Sequence, residues 1–267
     1  MIDLIQNQFQ KGMTAEQKKN MAREYLQVLC LKIMSDKGMF DFAAFLGGTA
    51  LRILFDLRRF SEDLDFSLIP GKEFVFGDAA EALLKSYRSY GIEAEGKSRE
   101  QGAVKSLMIK FPGLFKDLGV AAMPDEKLMI KWDMDTRPPE GAVILHTILN
   151  KIHLFGVAHY DLPSMFAGKL HACFFRGYNK GRDWYDFIWY VGRKTVPNFT
   201  FLNNAVEQTE KKRLDLSRET FKAFLLERIE GIDFEAAQAD VERFLEDEQE
   251  RRLFDRDLVR SSIERAY

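Results

Sequence analysis

The sequence predicts an α+β half followed by an all-helical half, and three observations carry that division. Leu64, Phe66 and Leu68 alternate with Asp63, Asp65 and Ser67, which is the two-residue period of a half-buried strand. Upstream, the apolar stretch Asp41 to Leu46 runs into Gly47-Gly48, and Leu51, Leu54 and Phe55 then recur at helical spacing, so the order is strand, glycine turn, helix. Beyond Pro163 nearly every segment is long, charged and periodic as a helix is.

Taken in order, Thr14 to Lys37 reads as an opening helix, because Met21, Tyr25, Val28, Leu29, Ile33 and Met34 keep helical spacing behind a cap signal at Thr14 and Glu16-Gln17. Asp78 to Tyr90 reads as a helix, Val104 to Phe111 and Lys127 to Asp133 as strands, and Thr147 to Val157 as one further strand. Arg137-Pro138-Pro139 ends the strand before it, since proline cannot donate to a ladder. Six helices follow, at Ser164 to Arg176, Arg182 to Arg193, Phe201 to Lys212, Arg218 to Glu230, Phe234 to Glu248 and Arg256 to Ala266. The change of texture sets a boundary at Tyr160 to Pro163, giving an α+β domain over residues 1–160 and a helical domain over 161–267.

With 267 residues, 46% apolar and 30% charged, the chain can bury a core, which excludes disordered, collagen-like and fibrous classes. A formal net charge of −2 means that nucleic acid could be bound only by a locally basic surface. No apolar run approaches the roughly 18 residues of a bilayer span, and the amino terminus lacks a basic segment followed by an apolar one, which predicts a cytoplasmic protein with no membrane partner. Cys30 and Cys173 lie among apolar neighbours and read as buried free thiols, and His146, His153, His159 and His171 show no zinc spacing with them.

Asp63 and Asp65 share one face of their strand, and two carboxylates at that spacing repel unless a cation lies between them. Magnesium prefers one or two protein carboxylates together with substrate phosphate oxygens, so this pair is a candidate metal site, against the plainer alternative of a solvated strand face. Gly47-Gly48-Thr49 stands at a strand-to-helix junction, where glycines admit a phosphate close to the backbone and the helix start favours an anion; alone, such a pair is commonly just a tight turn. Thirteen residues separate the two features, enough for a helix to leave and the chain to return beside the same sheet edge. On the strand Lys127 to Asp135, Lys131, Asp133 and Asp135 share a face, so both aspartates are candidates for a third carboxylate.

The stretch Phe45-Leu46-Gly47-Gly48-Thr49-Ala50-Leu51, followed by Arg59-Phe60-Ser61-Glu62-Asp63-Leu64-Asp65-Phe66, resembles the first motif of the AbiEii/AbiGii-type toxins, a branch of the polymerase-β-like nucleotidyltransferase superfamily. The resemblance continues through Ile130-Lys131-Trp132-Asp133, Lys169-Leu170-His171-Ala172 and Arg182-Asp183-Trp184-Tyr185-Asp186-Phe187. It implies a polymerase-β-like domain with a mixed sheet. It further implies that Gly47, Gly48 and Thr49 hold the triphosphate, that Asp63 and Asp65 bind Mg²⁺ or Mn²⁺, and that a later carboxylate, Asp133 in preference to Asp135, completes the acidic site. Thr49 stands where serine is also common, and either supplies a hydroxyl. By the same resemblance Lys169, ordinarily a solvent-facing helix lysine, meets the triphosphate, while Asp183 and Asp186 orient Lys169 or Arg182 or contact the nucleotide, in place of a merely structural role.

The implied activity is transfer of a nucleoside monophosphate from an NTP to an acceptor hydroxyl with release of pyrophosphate, as the toxin of a toxin–antitoxin or abortive-infection system with a cognate antitoxin. An RNA acceptor, tRNA first, accords with the basic residues Lys169, Arg176, Lys180, Arg182, Arg193 and Lys194, to which Arg52, Arg58 and Arg59 add. Transfer to a small molecule or a protein hydroxyl is the alternative from the same chemistry. An inert nucleotide- or RNA-binding module is the alternative from another class, disfavoured because binding alone has no need of so many clustered carboxylates.

Overall fold

The computed structural model describes residues 1–123, 125–178 and 180–267. Its elements are α1 (Ile2–Gln6), α2 (Ala15–Asp36), β1 (Ala43–Leu46), α3 (Gly47–Phe55), β2 (Asp63–Leu68), α4 (Phe76–Ser89), β3 (Glu95–Arg99), β4 (Val104–Phe111), α5 (Leu114–Asp117), β5 (Leu128–Asp135), β6 (Ile144–Asn150) and β7 (Leu154–Tyr160). There follow α6 (Leu162–Phe174), α7 (Gly181–Gly192), α8 (Phe199–Glu210), α9 (Arg218–Ile229), α10 (Phe234–Val241) and α11 (Arg256–Ala266), which makes this an α+β protein. The chain forms two compact units. One comprises residues Met1–Asp56, Phe60–Arg137 and Leu145–His159; the other comprises Leu57–Arg59, Pro138–Ile144 and Tyr160–Tyr267.

The strands form a mixed sheet in the order β3-β4-β5-β2-β1-β7-β6. β1 and β2 are antiparallel, with Leu46 opposite Asp65, whereas β2 and β5 are parallel, with Asp65 opposite Asp133. Because side chains alternate along a strand, Leu64, Phe66, Ile130, Trp132 and Met134 all turn inward and are at most 2% exposed. Phe45, Phe66, Trp132 and Phe76 form a continuous aromatic layer, with successive ring centroids 5.2, 5.8 and 5.3 Å apart. α2 covers this layer, its start fixed by a reciprocal cap in which the Thr14 hydroxyl accepts from the Gln17 N–H and the Gln17 side chain accepts from the Thr14 N–H.

In the helical unit, Phe166 of α6 stacks on Tyr190 of α7 at 4.4 Å, and Phe221 of α9 meets both Phe166 and Tyr267 edge-on. α6 starts at a true cap, the Asp161 carboxylate accepting from the Ser164 N–H, with Pro163 in the first turn.

Several elements differ from expectation. The single strand expected over Thr147 to Val157 is two, β6 and β7, broken at Lys151-Ile152-His153. β3 was not legible because all five of its residues are exposed, so it carries no apolar alternation. The helix expected to reach Glu248 stops at Val241, and residues Glu242–Phe244 tighten into a 3₁₀ turn. Cys30 and Cys173 are buried free thiols. Among the described residues no helix is long and apolar enough to cross a membrane.

Gly181 opens α7 where α10 passes closely: an added Cβ would stand 2.9 Å from the Val241 nitrogen and 3.0 Å from the Ala237 carbonyl carbon. Alanine normally favours a helix over glycine by about 1 kcal/mol. Here the backbone contact reverses that sign, and Gly181→Ala is expected to lower unfolding stability in urea by about 1–3 kcal/mol.

Candidate active site

In the α+β unit, the glycine turn and the paired aspartates meet through the register of β1 and β2. Gly47 follows the end of β1 with φ +82°, a left-handed conformation that disfavours any side chain. It also lies directly against Asp65, since a Cβ at Gly47 would be 3.1 Å from Asp65 Cγ and still closer to its carboxylate oxygen. The residue before α3, Leu46, has no side-chain acceptor and caps none of the first N–H groups of the helix. The Thr49 hydroxyl donates to the main-chain carbonyl of Asp63, tying the first turn of α3 to the start of β2. Thr49 therefore builds the site's frame with the hydroxyl that the sequence offered to a phosphate.

The parallel pairing of β2 with β5 sets Asp63 opposite Lys131, Asp65 opposite Asp133, and Ser67 opposite Asp135. Of the two candidate third carboxylates, Asp133 is thus the one level with Asp65. Asp135 lies beyond, accepting from the Arg137 N–H at 2.9 Å, and burial raises its pKa from the ordinary value.

Lys131 is the residue to which the sequence analysis assigned no role. Its ammonium bonds Asp133 at 2.5 Å. Burial opposes its charge, but the bond to Asp133 and the charges of Asp133, Asp63 and Asp65 outweigh burial and hold its pKa above the usual lysine value. The signal was present: Lys131 shares the face of Asp133 by alternation. What was missing was the register that puts it opposite Asp63.

Among the described residues no three carboxylate, histidine or cysteine side chains stand arranged as a ready metal cage. The donor set nevertheless fits a hard cation. Asp133 Oδ1 is buried without a hydrogen-bond partner, and the charges of Asp133, Asp63 and Asp65 act together on Lys131. Asp63, Asp65 and Asp133 are the residues that would hold such an ion.

In the helical unit, Lys169 of α6 pairs with Asp183 at 2.7 Å and with Asp186 at 2.8 Å, both on α7. Arg59 reaches the same Asp186 with two parallel bonds, Nε at 2.6 Å and Nη2 at 2.7 Å. Asp186 is 0% exposed and Arg59 2%, so this is a buried charge cluster, and Lys169, expected to meet the triphosphate, is paired here to two aspartates. Arg182 lies over the Phe244 ring, 4.2 Å from its centroid, and Asp183 and Asp186 orient Lys169 and Arg59. Arg59 and Arg52 also leave the expected basic surface: Arg52 pairs with Glu24 and stands over Phe60.

Burial works against the charge of Asp183, but Lys169, by charge and hydrogen bond, and then Arg176 overcome it and bring the pKa to about 2. A depressed pKa means that the folded chain favours the ionised form. The contribution of Asp183 is therefore complete above the ordinary carboxylate pKa and disappears as pH falls through about 2. The stability difference between wild type and Asp183→Asn, read from urea midpoints, is expected to be on the order of 2 kcal/mol near neutral pH and to shrink steadily below about pH 4.

The sequence profile of the family described as nucleotidyl transferase AbiEii toxin, type IV toxin–antitoxin system, matches residues 29–259. A crystal structure of a candidate nucleotidyltransferase from H. pylori shares the fold, with a TM-score of 0.51 at 19% identity over 92% of this chain and 96% of its own. The crystal structure of JHP933 from Helicobacter pylori gives a TM-score of 0.48 at 17% identity, over 92% of this chain and 94% of that one. No curated protein sequence matches. With its family profile spanning most of its length, the chain belongs to the AbiEii nucleotidyltransferase toxin family.

Proposed function

We propose that the protein transfers a nucleoside monophosphate from an NTP to the hydroxyl of an RNA, with tRNA the leading acceptor, and that it does so with Mg²⁺ held by Asp63, Asp65 and Asp133. The observation that carries the reading is the row Leu46, Asp65, Asp133 across three adjacent strands, with the uncapped glycine turn against Asp65. The acceptor oxygen forms a bond to the α-phosphorus while the bond from that phosphorus to the β-phosphate bridging oxygen breaks, and pyrophosphate leaves. A divalent cation, when bound, neutralises phosphate charge and lowers the pKa of the attacking hydroxyl. Gly47 and Gly48 admit a phosphate to the N–H groups at the start of α3, and Asp133 offers its unpartnered oxygen to the cation, so that the proton of the activated hydroxyl leaves to solvent. Lys131 bonds the other oxygen of Asp133 and so fixes the carboxylate in place. As a toxin of a type IV system, the protein would be opposed by a cognate antitoxin.

Asp65→Asn keeps size and polarity but removes a charge from the row. Transfer of an α-phosphate-radiolabelled NTP to total RNA is expected to fall roughly 100-fold or more, with the fold retained. Near wild-type turnover at limiting Mg²⁺ would remove this site from the mechanism.

The role of Lys169, with Asp183 and Asp186, is read by a pair of variants. Lys169→Ala leaves the buried Asp183 with only Arg176 at 4.0 Å and takes one of two cations from Asp186, and is expected to cost about 3 kcal/mol of stability. Lys169→Arg keeps the charge and restores most of that stability. If the ammonium also acts in transfer, activity in Lys169→Arg stays about 100-fold down, because a planar fork aims its donors differently from a compact ammonium. Full activity in Lys169→Arg would make the cluster purely structural.

A further inference from the structure

A groove of about 380 Å³ opens in the helical unit where α6, α8 and α9 end, lined by Phe174, Phe175, Arg176, Lys212, Arg213 and Arg228. The one acidic residue in its lining is Glu210. Cations at helix C-termini offset the helix dipoles, which would explain some of this charge. It does not explain the aromatic surfaces that accompany it. His171, Phe175 and Phe224 are stacked in series, interplanar angles 18° and 8°, and Arg228 stands over both phenylalanine rings at 5.6 and 5.3 Å. Tyr178, 63% exposed, presents its ring beside Arg176, whose guanidinium is 5.3 Å from the ring centroid. Lys212 and Arg228 have no carboxylate partner among the described residues, and Arg213 makes an exposed pair with Asp215 at 2.5 Å that a phosphate would have to displace. Arg176 also reaches to 4.0 Å from Asp183, so the groove begins at the charge cluster around Lys169.

We infer that this groove binds an unpaired segment of nucleic acid, in this protein the single-stranded end of the RNA acceptor. Phosphates meet Lys212, Arg213 and Arg228, and a base stacks on Tyr178. Cations tracking a backbone, interleaved with exposed ring faces, are what single strands require, because every base offers a π-face and every linkage one charge. An acidic protein segment would use the cations and leave the aromatic face without a purpose. The inference rests on the reading of the protein as a transferase acting on RNA, and it locates the acceptor on residues that the transfer chemistry does not use.

The test is fluorescence anisotropy of the full chain with a short labelled unpaired RNA, in EDTA and without NTP, so that binding is read apart from transfer. Tyr178→Ala is expected to weaken binding by about 5- to 100-fold with the salt slope unchanged, since it removes stacking and no charge. Arg213→Ala and Arg228→Ala are each expected to lower the slope of log K against log salt by about 0.7, one phosphate contact on a single strand. Asp65→Asn should bind RNA as wild type does. Wild-type affinity and slope in all three groove variants would overturn the inference while leaving the transferase reading intact. So would equal binding of poly-glutamate of matched charge, insensitive to Tyr178→Ala. Absence of any transfer to RNA by the wild-type chain, with the groove effects present, would instead strike the transferase reading alone.

Discussion

The carboxylate of Asp186 is wholly buried, and the helical unit is organised around satisfying it. Removing a carboxylate from water costs several kcal/mol, so the fold must deliver cations with good geometry to the same point. It delivers two, from segments more than a hundred residues apart in sequence: Arg59 by a two-pronged pairing, and Lys169. Asp183 then balances the second cation, which leaves two carboxylates against two full cations with Arg176 at the margin. Arg59 comes with its neighbours Leu57 and Arg58, a three-residue segment that belongs to the helical unit although the chain on either side of it does not. The segment is secured by its main chain as well, through a bridge between Arg59 and Leu245 and a bond from the Glu246 N–H to the Arg58 carbonyl at 3.4 Å. Four residues after Arg59 the chain reaches Asp63.

The acidic row of the sheet solves a related problem differently. Asp63, Asp65 and Asp133 are only partly buried, and Lys131, whose charge they favour, is on their own face of the sheet. That arrangement leaves a carboxylate oxygen unpartnered, a condition that a packed core avoids and a site for a hard ion exploits. The contrast sets the two groups apart in kind. Asp186 is bonded by two cations of the protein itself, and Asp133 keeps one oxygen without a bond. Chemistry that needs an exchangeable cation belongs to the second arrangement.

Much of this was legible in the sequence because it rests on period-two alternation and on local turns. The strand Asp63–Leu68, the glycine turn into α3, the capped α2 and the start of α6 at Pro163 each depend on residues within one or two turns of each other. What stayed hidden depends on register and on distant pairing. Nothing local tells whether Asp133 or Asp135 is level with Asp65, and only the parallel ladder decides it. β3, exposed along its whole length, is held by its ladder with β4 and has no apolar face to announce it. The break at residues 151–153 was missed because Lys151-Ile152-His153 contains neither glycine nor proline, the residues by which a turn is ordinarily recognised.

Charge counted along the chain also misstates charge on the surface, and the reason is the same. Arg52, Arg59 and Lys169 look available in a tally of basic residues, but each meets an internal carboxylate, Glu24, Asp186, or Asp183 with Asp186. Lys212 and Arg213 stand in a short basic run with Lys211, but Arg176 and Arg228 lie far from that run in sequence, and helix ends at positions 174, 210 and 229 bring them to the same groove. A helix end is where a chain turns, so residues far apart in sequence converge there with their side chains unconstrained by a packed face. The basic surface of this protein is therefore a product of where its helices stop, and its acidic surface a product of how its strands are registered.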